Sequence, residues 1–153
     1  MTSHSIEREI FNKYKAVMIH KLGKKALSDT TINKACKALF ASWGGCFPSD
    51  RVKLQPHHYY IVNVDTHDQP GSHWLAAFCT RKRCYVWDSF GRSIIKLAPK
   101  LVQCIHKSGM TLGKTDLIHH QEQTGYTSEI CGQDSISFLL LVRDLGITRA
   151  RNI

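Results

Sequence analysis

Cys131, His73 and Asp88 are the residues of this sequence whose types and settings could together do acyl-transfer chemistry. Cys131 stands with Gly132 just ahead of the apolar series Ile136, Phe138, Leu139, Leu140, Leu141, Val142 and Leu145, which ends at Gly146. On a helix these residues would cover nearly the whole circumference. The spacing therefore predicts a helix at the centre of the core, with Ser128 at its N-cap and Gly146 just past its C-terminus. Cys131 would then lie in the first turn, where unpaired N–H groups and the positive end of the helix dipole favour an anion, and a thiolate is that anion. Position alone does not make a nucleophile, because most free cysteines are small buried hydrophobes. Gly132 either lets a substrate backbone approach closely or is a packing glycine.

A cysteine nucleophile needs a base and a group that orients the base. The runs His73-Trp74-Leu75-Ala76-Ala77-Phe78-Cys79 and Cys84-Tyr85-Val86-Trp87-Asp88 read as two strands joined by the basic tip Thr80-Arg81-Lys82-Arg83, a hairpin. If Cys79 pairs with Cys84, Leu75 faces Asp88 and His73 faces Phe90. His73 and Asp88 are then diagonal neighbours on one face, roughly 7–8 Å apart at the backbone and within side-chain reach. A register slip of one residue would separate them. The oxyanion formed on attack needs donors. The backbone N–H of Cys131 and the side-chain amide of Gln123 or Gln121, eight and ten residues earlier, are the candidates.

These residues must be held by the rest of the chain. Ile6, Ile10, Phe11, Tyr14, Val17 and Met18 recur at helical spacing from Ser5, a plausible cap, to Leu22, ending near Gly23. A second helix is expected from Asp29 or Thr30 to before Gly44-Gly45, and a turn at Phe47-Pro48-Ser49-Asp50. Tyr59 to Val64 reads as a buried strand. Asp68-Gln69-Pro70-Gly71-Ser72 is a loop, and a helix beyond Gly91 is either broken at Pro99 or begins there. The organisation expected is one domain over residues 1–153, with residues 1–28 as a helical N-terminal extension.

The 153 residues suit one hydrophobic core, and 42% hydrophobic with 22% charged residues excludes collagen-like and wholly disordered classes. Apolar runs such as Phe138 to Val142 are far short of the roughly 20 residues that cross a bilayer. The N-terminal residues show no secretory pattern, so the expectation is cytosol or nucleus and six cysteines that are mostly free thiols. Their spacing does not suit a zinc site. The net charge of +9 is uneven. Residues 1–50 hold eight basic against four acidic groups, 51–100 eight against three, and 101–153 five of each. Such an asymmetry suits a polyanion such as DNA, with Arg81, Lys82 and Arg83 as a contact patch, or else a solvated face.

The segments Ile61-Val62-Asn63, Gly71-Ser72-His73-Trp74-Leu75-Ala76-Ala77-Phe78, Cys84-Tyr85-Val86-Trp87-Asp88-Ser89-Phe90-Gly91 and, after a Gln, Ser128-Glu129-Ile130-Cys131-Gly132 resemble the adenovirus protease (adenain) family. The nearest likeness is to the adenain-like proteases of Maverick/Polinton elements and related DNA viruses. It runs from about Phe40 to Leu141, in the order His, Asp, Gln, Cys. The resemblance implies an α+β fold, a mixed sheet packed against helices with the nucleophile at the start of a buried central helix. It implies a monomeric cysteine endopeptidase that matures viral capsid and core precursors in the host nucleus and virion. By carry-over Cys131 is the nucleophile, His73 the general base and then acid, Asp88 its orienting partner and Gln123 the oxyanion donor; Trp74 and Gly132 are the substrate-binding residues expected, lining a narrow tunnel that suits a Gly-Gly terminus. No cofactor is implied for the chemistry, although the family is stimulated by DNA and by a small basic peptide. Asp88 stands where adenain has Glu, Gln133 follows Gly132 where many members have a second cysteine, and no cysteine matches the one that links adenain to its peptide. The same layout occurs in proteases specific for SUMO and ubiquitin-like modifiers, which makes an isopeptidase the alternative. A non-enzymatic basic DNA-binding or capsid-associated protein is a third reading.

Overall fold

The computed structural model describes residues 5–113 and 129–153. It is an α+β arrangement around a five-stranded mixed sheet. Two helices come first, α1 (Ile6–Leu22) and α2 (Asp29–Leu39). Ser5 Oγ accepts from the Arg8 N–H and Ser28 Oγ from the Thr31 N–H, so each helix begins where a hydroxyl can claim an orphan donor. Strands β1 (Trp43–Pro48), β2 (Tyr59–Asn63), β3 (Trp74–Cys79) and β4 (Arg83–Trp87) follow, then α3 (Ile94–Leu97), α4 (Pro99–Lys107), β5 (Thr111–Gly113), α5 (Cys131–Leu145) and α6 (Ile147–Ala150). Spatial order matches chain order. The pairs β1–β2 and β4–β5 are parallel, while β2–β3 and β3–β4 are antiparallel.

Both faces of the sheet are covered, which is why its central strands are apolar almost throughout. One face presents Ile61, Ala76 and Trp87 to α1, α2 and α5. The other presents Tyr60, Val62, Leu75, Ala77 and Val86 to α3, α4 and the loop residues Val52 and Leu54. Helix α5 is enclosed: every residue from Cys131 to Val142 is buried. Phe138 stacks on Trp87 at 4.8 Å, and Phe11 of α1 meets the same indole edge-on at 5.7 Å.

The structure departs from the sequence reading at four places. The segment read as an N-terminal extension is part of the core, since Phe11 is fully buried and Met18 nearly so. Gly44-Gly45 and Phe47-Pro48, read as breakers, lie in β1, and the turn starts one residue later with Arg51 N–H donating to the Pro48 carbonyl. Gly44 is in a strand because the Tyr60 ring occupies the space a side chain would need: a Cβ there would sit 2.2 Å from Cε1. Pro48 is tolerated because β1 is an edge strand. Short β5 gave no readable pattern in three residues. Finally, the N-cap of α5 is Ile130, which makes no side-chain cap bond. Ser128, read as that cap, lies outside the described residues, as do Gln121 and Gln123.

Candidate active site

The β3–β4 hairpin has the register that brings His73 and Asp88 together, with Ala76 opposite Trp87 and Cys79 opposite Cys84. His73 immediately precedes β3 and Asp88 immediately follows β4, so the pair closes the hairpin's open end. His73 Nε2 donates to Asp88 Oδ1 at 2.6 Å, and both residues are buried. The rings of His73 and Phe90 are 5.3 Å apart, in keeping with their opposed positions.

Asp88 has a second partner that sequence reasoning missed. The Arg92 backbone N–H and Nε both donate to Asp88 Oδ2, at 3.0 and 2.9 Å. The signal was present in the spacing, an arginine four residues after the acid, with its guanidinium 4.8 Å over the Phe90 ring. Burial alone would raise the Asp88 carboxyl, but the hydrogen bonds from His73 and Arg92 outweigh it and hold the group at about 2. Burial alone would likewise lower the His73 ring. Its hydrogen bonds with Asp88 and with the Cys131 side chain, and the charges of both, overcome that and push it up to about 9. With Nε2 committed to Asp88, Nδ1 is the nitrogen left for the sulfur. The upward shift favours the charged form of the ring.

Cys131 is the first residue of α5. Its Sγ accepts from the Trp74 backbone N–H at 3.4 Å, and the Trp74 carbonyl accepts from Ser135 Oγ at 3.3 Å. The peptide groups flanking Trp74 therefore tie the start of β3 to the first turns of α5. On the other side, Gln133 Nε2 donates to the Gly23 and Lys25 carbonyls, at 2.8 and 2.9 Å, and so fixes the α1–α2 connection. Because Ile130 supplies no capping side chain, the first N–H groups of α5 have no side-chain acceptor there.

The sulfur opens on a cleft of about 420 Å³ whose lining includes Trp74, Leu27, Cys46, Asn63 and Gly71. Trp74 belongs to that lining, and its Nε1 donates to the Leu27 carbonyl at 2.9 Å. Gly132, expected to line the substrate path, does not belong to that lining and packs on the α1–α2 connection: a Cβ there would meet the Leu27 side chain at 3.1–3.3 Å. Arg81, Lys82 and Arg83 are exposed at the hairpin tip, at the end of β3 opposite the site, roughly 20 Å away along a six-residue strand. All six cysteines are free. Burial pushes Cys36 up, and Cys46 up to about 12, while hydrogen bonding with Cys79 together with burial pushes Cys84 up. No group of three or more His, Cys, Asp or Glu among the described residues is placed to hold a metal ion. No helix among them is long and apolar enough to cross a membrane.

No known protein-family model and no curated protein sequence matches this chain. What the site can do therefore rests on its geometry. A buried carboxylate holds the His73 ring, the ring interacts with the Cys131 side chain, and Cys131 opens α5 with a cleft in front of it.

Proposed function

We propose that this chain is a cysteine endopeptidase with Cys131 as nucleophile, His73 as acid–base group and Asp88 as the residue that orients the ring. The observation that carries this reading is the buried Asp88–His73–Cys131 series, with the sulfur at the start of α5 and facing a cleft. The sulfur reacts as a thiolate with the His73 imidazolium beside it. Attack forms a C–S bond to the scissile carbonyl carbon and moves an electron pair onto its oxygen. The N–H groups at the start of α5, with Gln123 by carry-over from the adenain resemblance, stabilise that oxyanion. His73 then protonates the departing amine as the C–N bond breaks, which leaves a thioester. Water attacks the thioester carbonyl while passing a proton to His73, the C–S bond breaks, and thiolate and imidazolium are restored.

The resemblance narrows the substrates to viral capsid and core precursors, cut during assembly in the host nucleus and virion. The charge excess of the first hundred residues supports stimulation by DNA. The test is turnover of peptide libraries by the wild type and Cys131→Ala, with and without DNA. Turnover by the wild type alone is expected, and equal turnover by both proteins would overturn the reading. Turnover confined to a conjugate of a ubiquitin-like modifier would move the site to isopeptide chemistry.

A further inference from the structure

Asn63 is the last residue of β2 and stands directly opposite Trp74 in the β2–β3 ladder, so the two side chains share the face turned toward α5. Its residue exposure is only 7%, yet it is part of the cleft wall on which the Cys131 sulfur opens. Its Oδ1 accepts from two backbone N–H groups, those of Asp65 at 2.9 Å and Ser72 at 3.2 Å. Those two bonds settle which end of the amide is which, because only the oxygen can accept. They also use its acceptor capacity and aim Nδ2 the other way. Nδ2 then lies beside Gly71, only 3.1 Å from where a Cβ on that glycine would be. Among the described residues no acceptor takes a hydrogen from Nδ2.

A nine-tenths buried residue that spends its amide oxygen on the loop and leaves an accessible Nδ2 at a cleft wall is built for an acceptor that arrives with a ligand. The chemistry of the wall says which kind. Asp29 and Asp65 also line the cleft and disfavour an anion, which leaves a neutral carbonyl oxygen as the complementary group. An extended peptide supplies one at each residue, and the cleft volume falls within the range that holds small ligands. We propose that Asn63 is a substrate-binding residue whose Nδ2 donates to a main-chain carbonyl of the peptide lying in the Cys131 cleft. This deepens the protease reading and rests on it.

Asn63→Asp separates this role from that of a loop cap, because the carboxylate keeps both acceptor contacts and loses both donors. Two reagents for Cys131 are compared on the wild type and the variant. Tri-alanyl chloromethyl ketone must use the cleft, whereas iodoacetamide need not. The proposal expects the variant to react at least about 10-fold more slowly with the ketone, since a donor is lost and a carboxylate faces the carbonyl, and within about 2-fold of the wild type with iodoacetamide. Equal slowing of both reagents, or slowing of neither, overturns it. Asn63→Ser is judged by the same criteria if Asn63→Asp does not fold. Failure of the protease reading is seen separately, as a wild type that turns over no peptide. A selective loss toward the ketone in that case would still leave Asn63 as part of a peptide-binding site.

Discussion

Replacing Asp88 with Asn tests the electrostatics of the site at the bond that organises it. The exchange keeps the shape of the side chain and removes the charge that faces His73 Nε2 at 2.6 Å. In the intact protein the ring rises from its ordinary 6.5 to about 9, worth about 3 kcal/mol to the imidazolium, and the carboxyl falls from 3.8 to about 2, worth about 2 kcal/mol. The ring shows the larger value because it also interacts with Cys131. Without the carboxylate, burial again works against the charged ring, and its midpoint should fall by about 2 units, to near 7 or lower. Peptide turnover at neutral pH should drop by roughly 10²- to 10⁴-fold, the range set by losing ring charge and orientation together. The assay is an NMR titration of the labelled imidazole in both proteins. The stability difference between them has its own pH window. The contribution of Asp88 is present above about 4 and is lost as pH falls toward 2, while that of His73 is present below 6.5 and is lost as pH rises through about 9. The wild type should therefore exceed the variant most between about pH 4 and 6.5. A His73 midpoint that stays near 9 in Asp88→Asn, or one of 6.5 in the wild type, would refute the reasoning.

Phe11→Ala should cost about 3–5 kcal/mol in denaturant unfolding, because the ring is fully buried against Trp87, whereas a dispensable N-terminal extension would tolerate the change. Asp134 is buried in the first turn of α5, and burial raises its pKa even though Lys15 stands 3.3 Å away. A carboxyl raised by folding destabilises the native state once ionised, so Asp134→Asn should raise the thermal midpoint at neutral pH by an amount that vanishes on acidification. Replacing Arg81, Lys82 and Arg83 together with Gln should reduce the salt dependence of DNA binding, measured by anisotropy, by about two to three in log–log slope. It should leave peptide turnover without DNA unchanged, given the distance of the hairpin tip from Cys131.

Much of the site was legible because it depends on local rules. Strand alternation and the facing pair Cys79 and Cys84 were enough to place His73 against Asp88. The all-round apolar pattern after Gly132 was enough to bury α5 and set Cys131 in its first turn. What could not be read depends on contacts between distant segments. β1 was hidden behind Gly44, Gly45 and Pro48, because glycine signals a turn unless one knows that the Tyr60 ring lies over it. The role of α1 in the core depends on Phe11 meeting Trp87, seventy-six positions away in the chain. Asn63 reads as an ordinary strand-end cap until its two acceptor bonds and the cleft beside it are seen together. Arg92 shows the opposite case, a partner within one helical turn's spacing that the eye for triads passes over.

The proposed chemistry needs a reactive sulfur at the start of α5 that owes its reactivity to the His73 ring. Mass-spectrometric mapping of iodoacetamide labelling at neutral pH, in the wild type and His73→Ala, tests it most directly. Cys36, Cys46 and Cys84 are held as thiols, so Cys131 should be modified at least about 10-fold faster than any other cysteine, and that advantage should disappear in His73→Ala. Labelling of Cys131 no faster than the other five, or a preference untouched by His73→Ala, would contradict the account.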